Sequence, residues 1–155
     1  QSMDFLYKII NRENIYFNIH KNHISDVFKV IFAKRFRHDK KTYKYLVTTL
    51  TDLYHNEPIQ VLEDVVFIHI HLKEIKEFII YVVTDKNGFA IPNLQNKVKT
   101  IIILLNSTER SHESHLYLLK DIASTVRTEG LLEALTTSNN IKEFENNFTN
   151  FNSTK

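Results

Sequence analysis

The sequence predicts an α/β domain, a three-layer α/β/α sandwich with a mixed sheet of about five strands flanked by helices. Three observations carry this. Apolar residues recur at helical spacing through the first third of the chain. Runs rich in β-branched and aromatic residues follow at Val65–Leu72, Glu77–Thr84 and Val98–Leu105. Helical spacing then returns from Ser111 to Phe148. Helices on both faces of a sheet are the packing that buries all of these apolar surfaces together.

The elements read in order as follows. Phe5–Ile10 suits a short helix and Ile15–Ile19 a short strand. From His23 to Arg35, Ile24, Val27, Phe28, Val30 and Ile31 sit at helical spacing. Asp39 is a candidate N-cap for a helix to about His55, with Tyr43, Leu46, Val47 and Leu50 on one face. Pro58 closes this basic, helical region. Asp85-Lys86-Asn87-Gly88 carries a turn signal, because Asn-Gly tolerates positive φ, and Phe89–Ile91 is expected to pair back as a short strand. Val98–Leu105 is continuous enough to be buried on both faces. Ser111 is a candidate N-cap for a helix through about Val126, with Leu116, Leu119, Ile122, Ala123 and Val126 as its apolar stripe. Thr128 is expected to cap a helix over Glu129–Thr136, and Asn139 or Asn140 to open the last one, with Ile141, Phe144 and Phe148 inward.

A length of 155 residues fits one domain with a sizeable core. We read residues 4–151 as that domain, 1–3 as an expression-tag remnant, and 152–155 as a frayed tail. The absence of cysteine excludes disulfides, thiolate catalysis and Cys-based zinc sites. A formal charge of +2 points to no particular partner. The longest apolar run, Ile101–Leu105, is far short of the roughly 20 residues of a membrane span. A cytoplasmic domain is expected, and the Asn-x-Ser/Thr triplets at Asn106, Asn147 and Asn152 are then incidental.

Chemistry points to histidine. On a strand, residues two apart share a face, so His69 and His71 stand side by side while Ile68, Ile70 and Leu72 face the core. A neutral imidazole is a usable nucleophile near pH 7 because its unperturbed pKa is about 6.5. An amphipathic strand with a solvated face gives the same pattern. His112 and His115, three apart at a helix start, share a face where unpaired N–H groups attract anions. Capping polarity with exposed histidines explains that segment equally well. A zinc reading needs His69, His71 and His112 or His115 to converge, and the spacings fit no established zinc pattern. The basic and aromatic stretch Lys34–Tyr45 resembles nucleic-acid surfaces locally, but with no second basic patch a solvated loop is the better reading, and no nucleic acid is expected. Two glycines cannot build a Gly-rich phosphate loop.

Together these segments resemble the IIA domain of the fructose/mannitol/nitrogen-type sugar phosphotransferase system, the EIIA type-2 family. That family has a Val-Ala-Ile-Pro-His-Ala-Arg-like strand, matched here by Val65-Val66-Phe67-Ile68-His69-Ile70-His71. A strongly apolar strand and a Ser-His-x-x-His-Leu-x-x-Leu helix start follow, matched by Val98–Leu105 and by Ser111-His112-Glu113-Ser114-His115-Leu116-Tyr117-Leu118-Leu119. The closing helices are similar to Leu131–Leu135 and Ser138–Phe144, so the resemblance covers about residues 53 to 149. It implies that His69 is the phosphoryl acceptor and His115 the second active-site histidine. His71 then offers a contact to the phosphate, with Ser111, His112 and Asn56 as further binding positions. It implies an HPr-like phosphocarrier and a IIB domain as partners, and no cofactor or metal. Asn56 stands where the family has Arg, Ile68 where it has Pro, and His71 where it has a second Arg. The alternative function is a regulatory or sensor domain, incompetent in phosphotransfer, linked to a transporter such as a cation/proton antiporter or to a transcriptional regulator.

Overall fold

A computed structural model describes residues 3–57 and 60–153. Five strands form one sheet: β1 (Ile15–Tyr16), β2 (Gln60–Leu62), β3 (Val65–Leu72), β4 (Ile79–Phe89) and β5 (Val98–Ser107), in the order β1-β4-β5-β3-β2. Strand β5 is central. It pairs in parallel with β3 and antiparallel with β4, and β1 lies parallel to β4 at one edge. The mixed sheet and the two helical layers agree with the sequence reading.

Alternation along β5 assigns the layers. Ile101, Ile103 and Leu105 point into one core, and Ile102 and Leu104 into the other; all five are at most 4% exposed. The first core is completed by α2 (Ile24–Ala33) and α3 (Lys40–Asn56) through Phe28, Phe32, Leu46 and Leu50. Asp39 caps α3 as expected, its Oδ1 accepting the Thr42 N–H at 3.1 Å. The second core is completed by α4 (His112–Val126), α5 (Leu131–Thr137), α6 (Ile141–Ser153) and the short α1 (Asp4–Tyr7), with Phe144 and Phe148 at its base.

Several expectations are corrected. Phe89–Ile91 does not pair back as a separate strand. Strand β4 continues through Asp85–Gly88 as a bulge and rejoins β5 at Phe89↔Val98, after Thr84↔Thr100. The Asn-Gly signal supplies the positive φ (+87° at Gly88), but the chain spends it on a bulge rather than a reversal, with Asp85 Oδ1 accepting the Asn87 N–H at 2.8 Å. The fifth strand is instead β2, an antiparallel edge to β3 that is too short for periodicity to reveal. Gly130, at φ +83°, caps α5 in place of Thr128, because only glycine adopts that conformation without strain. Helix α6 runs through Asn152 to Ser153, and the Asn152 amide donates to the Phe148 carbonyl at 2.9 Å. Gln1, Ser2, Pro58, Ile59, Thr154 and Lys155 lie outside the described residues.

Of the stripe expected on α4, Ile122 and Val126 are buried and Leu119 packs half-buried against the core, but Leu116 lies outside it and Leu118 takes the inward place. Leu116 is 52% and Tyr117 61% exposed. This rotation turns the helix start, with His115, toward the end of β3. Leu118→Ala should therefore destabilise the fold by about 2–5 kcal/mol and Leu116→Ala by no more than about 0.5 kcal/mol in chemical denaturation, equal losses being incompatible with this rotation.

Candidate functional site

Strand β3 changes character halfway along one face. Val65 and Phe67 fill the α4-side core, and the next two residues on that face are His69 and His71, both exposed. On the opposite face Val66, Ile68 and Leu72 remain buried. The parallel register with β5 sets His71 opposite Asn106, the residue at which β5 stops being apolar. Chain leaving β5 turns directly into α4, which returns His115 over this point.

Three imidazoles meet there. Ring centroids are 5.8 Å apart for His69 and His71, 5.6 Å for His69 and His115, and 5.2 Å for His71 and His115. Phe67 stacks on His69 from below at 5.7 Å. Ser111 shapes the helix start: its Oγ accepts the Ser114 N–H at 3.1 Å, and its carbonyl accepts the His115 N–H at 3.0 Å.

His115 is held by Asn106, a fully buried side chain. Asn106 Oδ1 accepts the Ser107 N–H at 3.0 Å, which leaves its Nδ2 as the donor to His115 Nδ1 at 2.6 Å. A neutral His115 therefore carries its proton on Nε2, an assignment that follows from this network. No hydrogen bond among the described residues engages either ring nitrogen of His69, so a neutral His69 keeps a free lone pair.

The electrostatics favour neutral rings at His69 and His115. The half of the His69 ring that packs on its neighbours loses water, which lowers its pKa, and proximity to His115 and His71 lowers it further. His115 is lowered by burial first, then by His71, His112 and Arg110. Arg110 lies in the β5–α4 turn, its guanidinium 5.0 Å from the Phe78 ring centroid and its Nη1 2.8 Å from Glu77 Oε2. Its Nε is buried and without a hydrogen-bond partner.

Of the residues expected at the site, His69, His71 and His115 converge. Ser111 acts through the helix start. His112, the first residue of α4, is exposed and bears on His115 only through its charge. Asn56 does not join them by any hydrogen bond among the described residues; its amide donates to Asp52 Oδ1, one turn earlier on α3, at 2.7 Å. Sequence reasoning missed Asn106 and Arg110. The polar break Asn106-Ser107 after an apolar strand, and a lone arginine beside the Ser111 cap, were the available signals. Among the described residues no group of three or more His, Asp or Glu side chains is arranged to hold a metal ion, and no helix is long and apolar enough to cross a membrane.

Comparison with known proteins bears on this site and fold together. A search of curated proteins found no match. Among solved structures, the nitrogen regulatory protein IIA-Ntr from Neisseria meningitidis is similar, with a TM-score of 0.65 and 17% identity over 92% of this chain and 98% of that one. The mannitol-specific cryptic phosphotransferase enzyme IIA CmtB from Escherichia coli also gives a TM-score of 0.65, with 14% identity over 94% and 98% of the two chains. At such identities these likenesses concern the fold. The family described as "Phosphoenolpyruvate-dependent sugar phosphotransferase system, EIIA 2" matches residues 8–150. A match over nearly the whole chain, on a fold shared with two IIA proteins, places this protein in the EIIA type-2 family of the sugar phosphotransferase system.

Proposed function

We infer that His69 accepts a phosphoryl group from the phosphohistidine of an HPr-like phosphocarrier and passes it to a IIB domain or holds it as a regulatory mark. The observation that supports this best is the division of labour between two neighbouring imidazoles. His69 keeps a free nitrogen, while Asn106 fixes His115 as a donor through Nε2–H. In the transfer, a bond forms between phosphorus and the unprotonated ring nitrogen of His69 as the bond to the donor imidazole breaks, and the donor ring recovers its lone pair. Charge on the three equatorial oxygens is then met by N–H groups, with His115 and His71 nearest. A protein donor fits the setting: His69 and His71 are exposed, and Leu116 and Tyr117 form an apolar rim beside His115. A cytoplasmic location and a bacterial phosphotransferase chain belong to the same reading.

A second reading is favoured by Asn56. Its amide is committed to Asp52, so it supplies no guanidinium where the family has one, and Asn cannot replace the bidentate charge of Arg. On this reading the domain is regulatory, attached to a transporter such as a cation/proton antiporter or to a transcriptional regulator, and acts without carrying phosphate.

Incubation with phosphoenolpyruvate, enzyme I and HPr separates the two. The first reading expects a gain of one phosphate by intact-mass measurement, lost in His69→Ala with the circular dichroism unchanged. No gain in the parent protein removes it. His115→Ala should slow phosphorylation by about 10²–10³-fold, the usual cost of removing a donor aimed at transition-state charge.

The pKa shifts have a definite sign. A lowered imidazole pKa keeps the nucleophile neutral to lower pH, so the acid limb of the phosphorylation rate should fall below the ordinary histidine range. His71→Ala removes a competing charge from both rings and admits water. The midpoints of His69 and His115 in an NMR titration should both rise, and unmoved midpoints would refute the electrostatic coupling.

A further inference from the structure

His20, His23 and His55 have no part in the site above, yet they meet at the other end of the sheet. With Lys21 and Lys97 they line one cavity of about 340 Å³, within the range of small-molecule sites. They come from three separate stretches: the segment between β1 and α2, the last turn of α3, and the approach to β5. Strands β4 and β5 are antiparallel, so the adjoining Asp85 lies beside the β5 end near Thr100. Thr100 and Asn106 are six steps apart along the strand, roughly 20 Å at about 3.3 Å per residue.

The floor of the cavity is packed, and its basic side chains stand exposed at the rim. The bulge in β4 brings Gly88 against Lys97, where an added Cβ would lie 2.7 Å from the lysine Cβ. The Tyr54 hydroxyl donates to the Ala90 carbonyl, and the His55 ring sits edge-on to Tyr54 at 5.4 Å. Asp85, the one carboxylate lining the cavity among the described residues, is 4% exposed and already engaged. Its Oδ1 accepts the Asn87 N–H, and its Oδ2 lies 3.5 Å from His20 Nδ1. The nearby acids Asp26 and Asp52 do not line the cavity; they face Lys29 at 3.8 Å and Asn56 at 2.7 Å respectively.

We propose that this cavity is a second site, which binds a small anion through a phosphate group. Two ammonium groups and three imidazoles supply more donors than one carboxylate accepts, whereas a phosphate offers three terminal oxygens and up to two charges. The proposal does not depend on phosphoryl transfer at His69, since it uses other residues at the other end of the sheet. Free phosphate and a phosphorylated metabolite share this chemistry.

The test is a titration of the protein, followed through its histidine ring NMR signals, with inorganic phosphate, with phenyl phosphate, and with sodium chloride at matched ionic strength. Saturable shifts at His20, His23 and His55, retained in His69→Ala, are expected with the phosphates and not with chloride. Tighter binding of phenyl phosphate identifies an ester as the ligand, and tighter binding of inorganic phosphate the free ion. The double substitution Lys21→Ala/Lys97→Ala should weaken binding by about tenfold, and both side chains are exposed, so folding should survive. Shifts that follow ionic strength alike in all three salts, or saturable shifts indifferent to the double substitution, overturn the proposal.

Discussion

Burial of β5 on both faces is the constraint from which the rest of this molecule follows. A strand with water on one side needs one helical layer; Ile101–Leu105 needs two, because its odd and even residues enter different cores. That demand recruits α2 and α3 to one side and α4, α5 and α6 to the other. It also makes β5 the strand against which β3 and β4 take their register. The polar residues begin where the apolar run ends, at Asn106, which is itself fully buried, and the site occupies that boundary.

The site is arranged by the same economy. Asn106 is too deep to leave unpaired, since an orphaned buried amide would cost about 1–3 kcal/mol. Its two ends are satisfied by Ser107 and His115, so a requirement of the core becomes a constraint on a catalytic-type imidazole. Burial and the neighbouring imidazoles then disfavour positive charge on His69 and His115, and Arg110 adds to this at His115. Arg110 is steadied by Glu77 and the Phe78 ring, with one N–H left unspent.

Much of this was legible in the sequence because it rests on local rules. Asp39 and Ser111 marked helix starts by capping chemistry, and β3 emerged with its bounds and its histidine face. What failed to show was set by distant parts of the chain. Leu116 has the spacing of a core residue, but the packing of α4 on the sheet chose Leu118. Asn-Gly announces a positive φ without saying whether the strand will reverse or bulge. Strand β2 has no periodicity over Gln60–Leu62 and exists because β3 offers it an edge. Convergence of His69 and His71 could be read from alternation alone. The clamp from Asn106 could not, because it requires knowing that β5 lies parallel to β3 and ends level with His71.

The half-apolar, half-imidazole face of β3 makes the molecule unequally vulnerable to different kinds of inherited change. Substituting a side chain alters one contact. Removing a single residue between Val65 and Ile68 shifts the parity of everything after it, since successive strand residues face opposite ways. His69 and His71 would then be driven toward the α2–α3 core, and Ile70 and Leu72 carried out to solvent. A lineage carrying this domain can change that strand one side chain at a time while its length stays frozen.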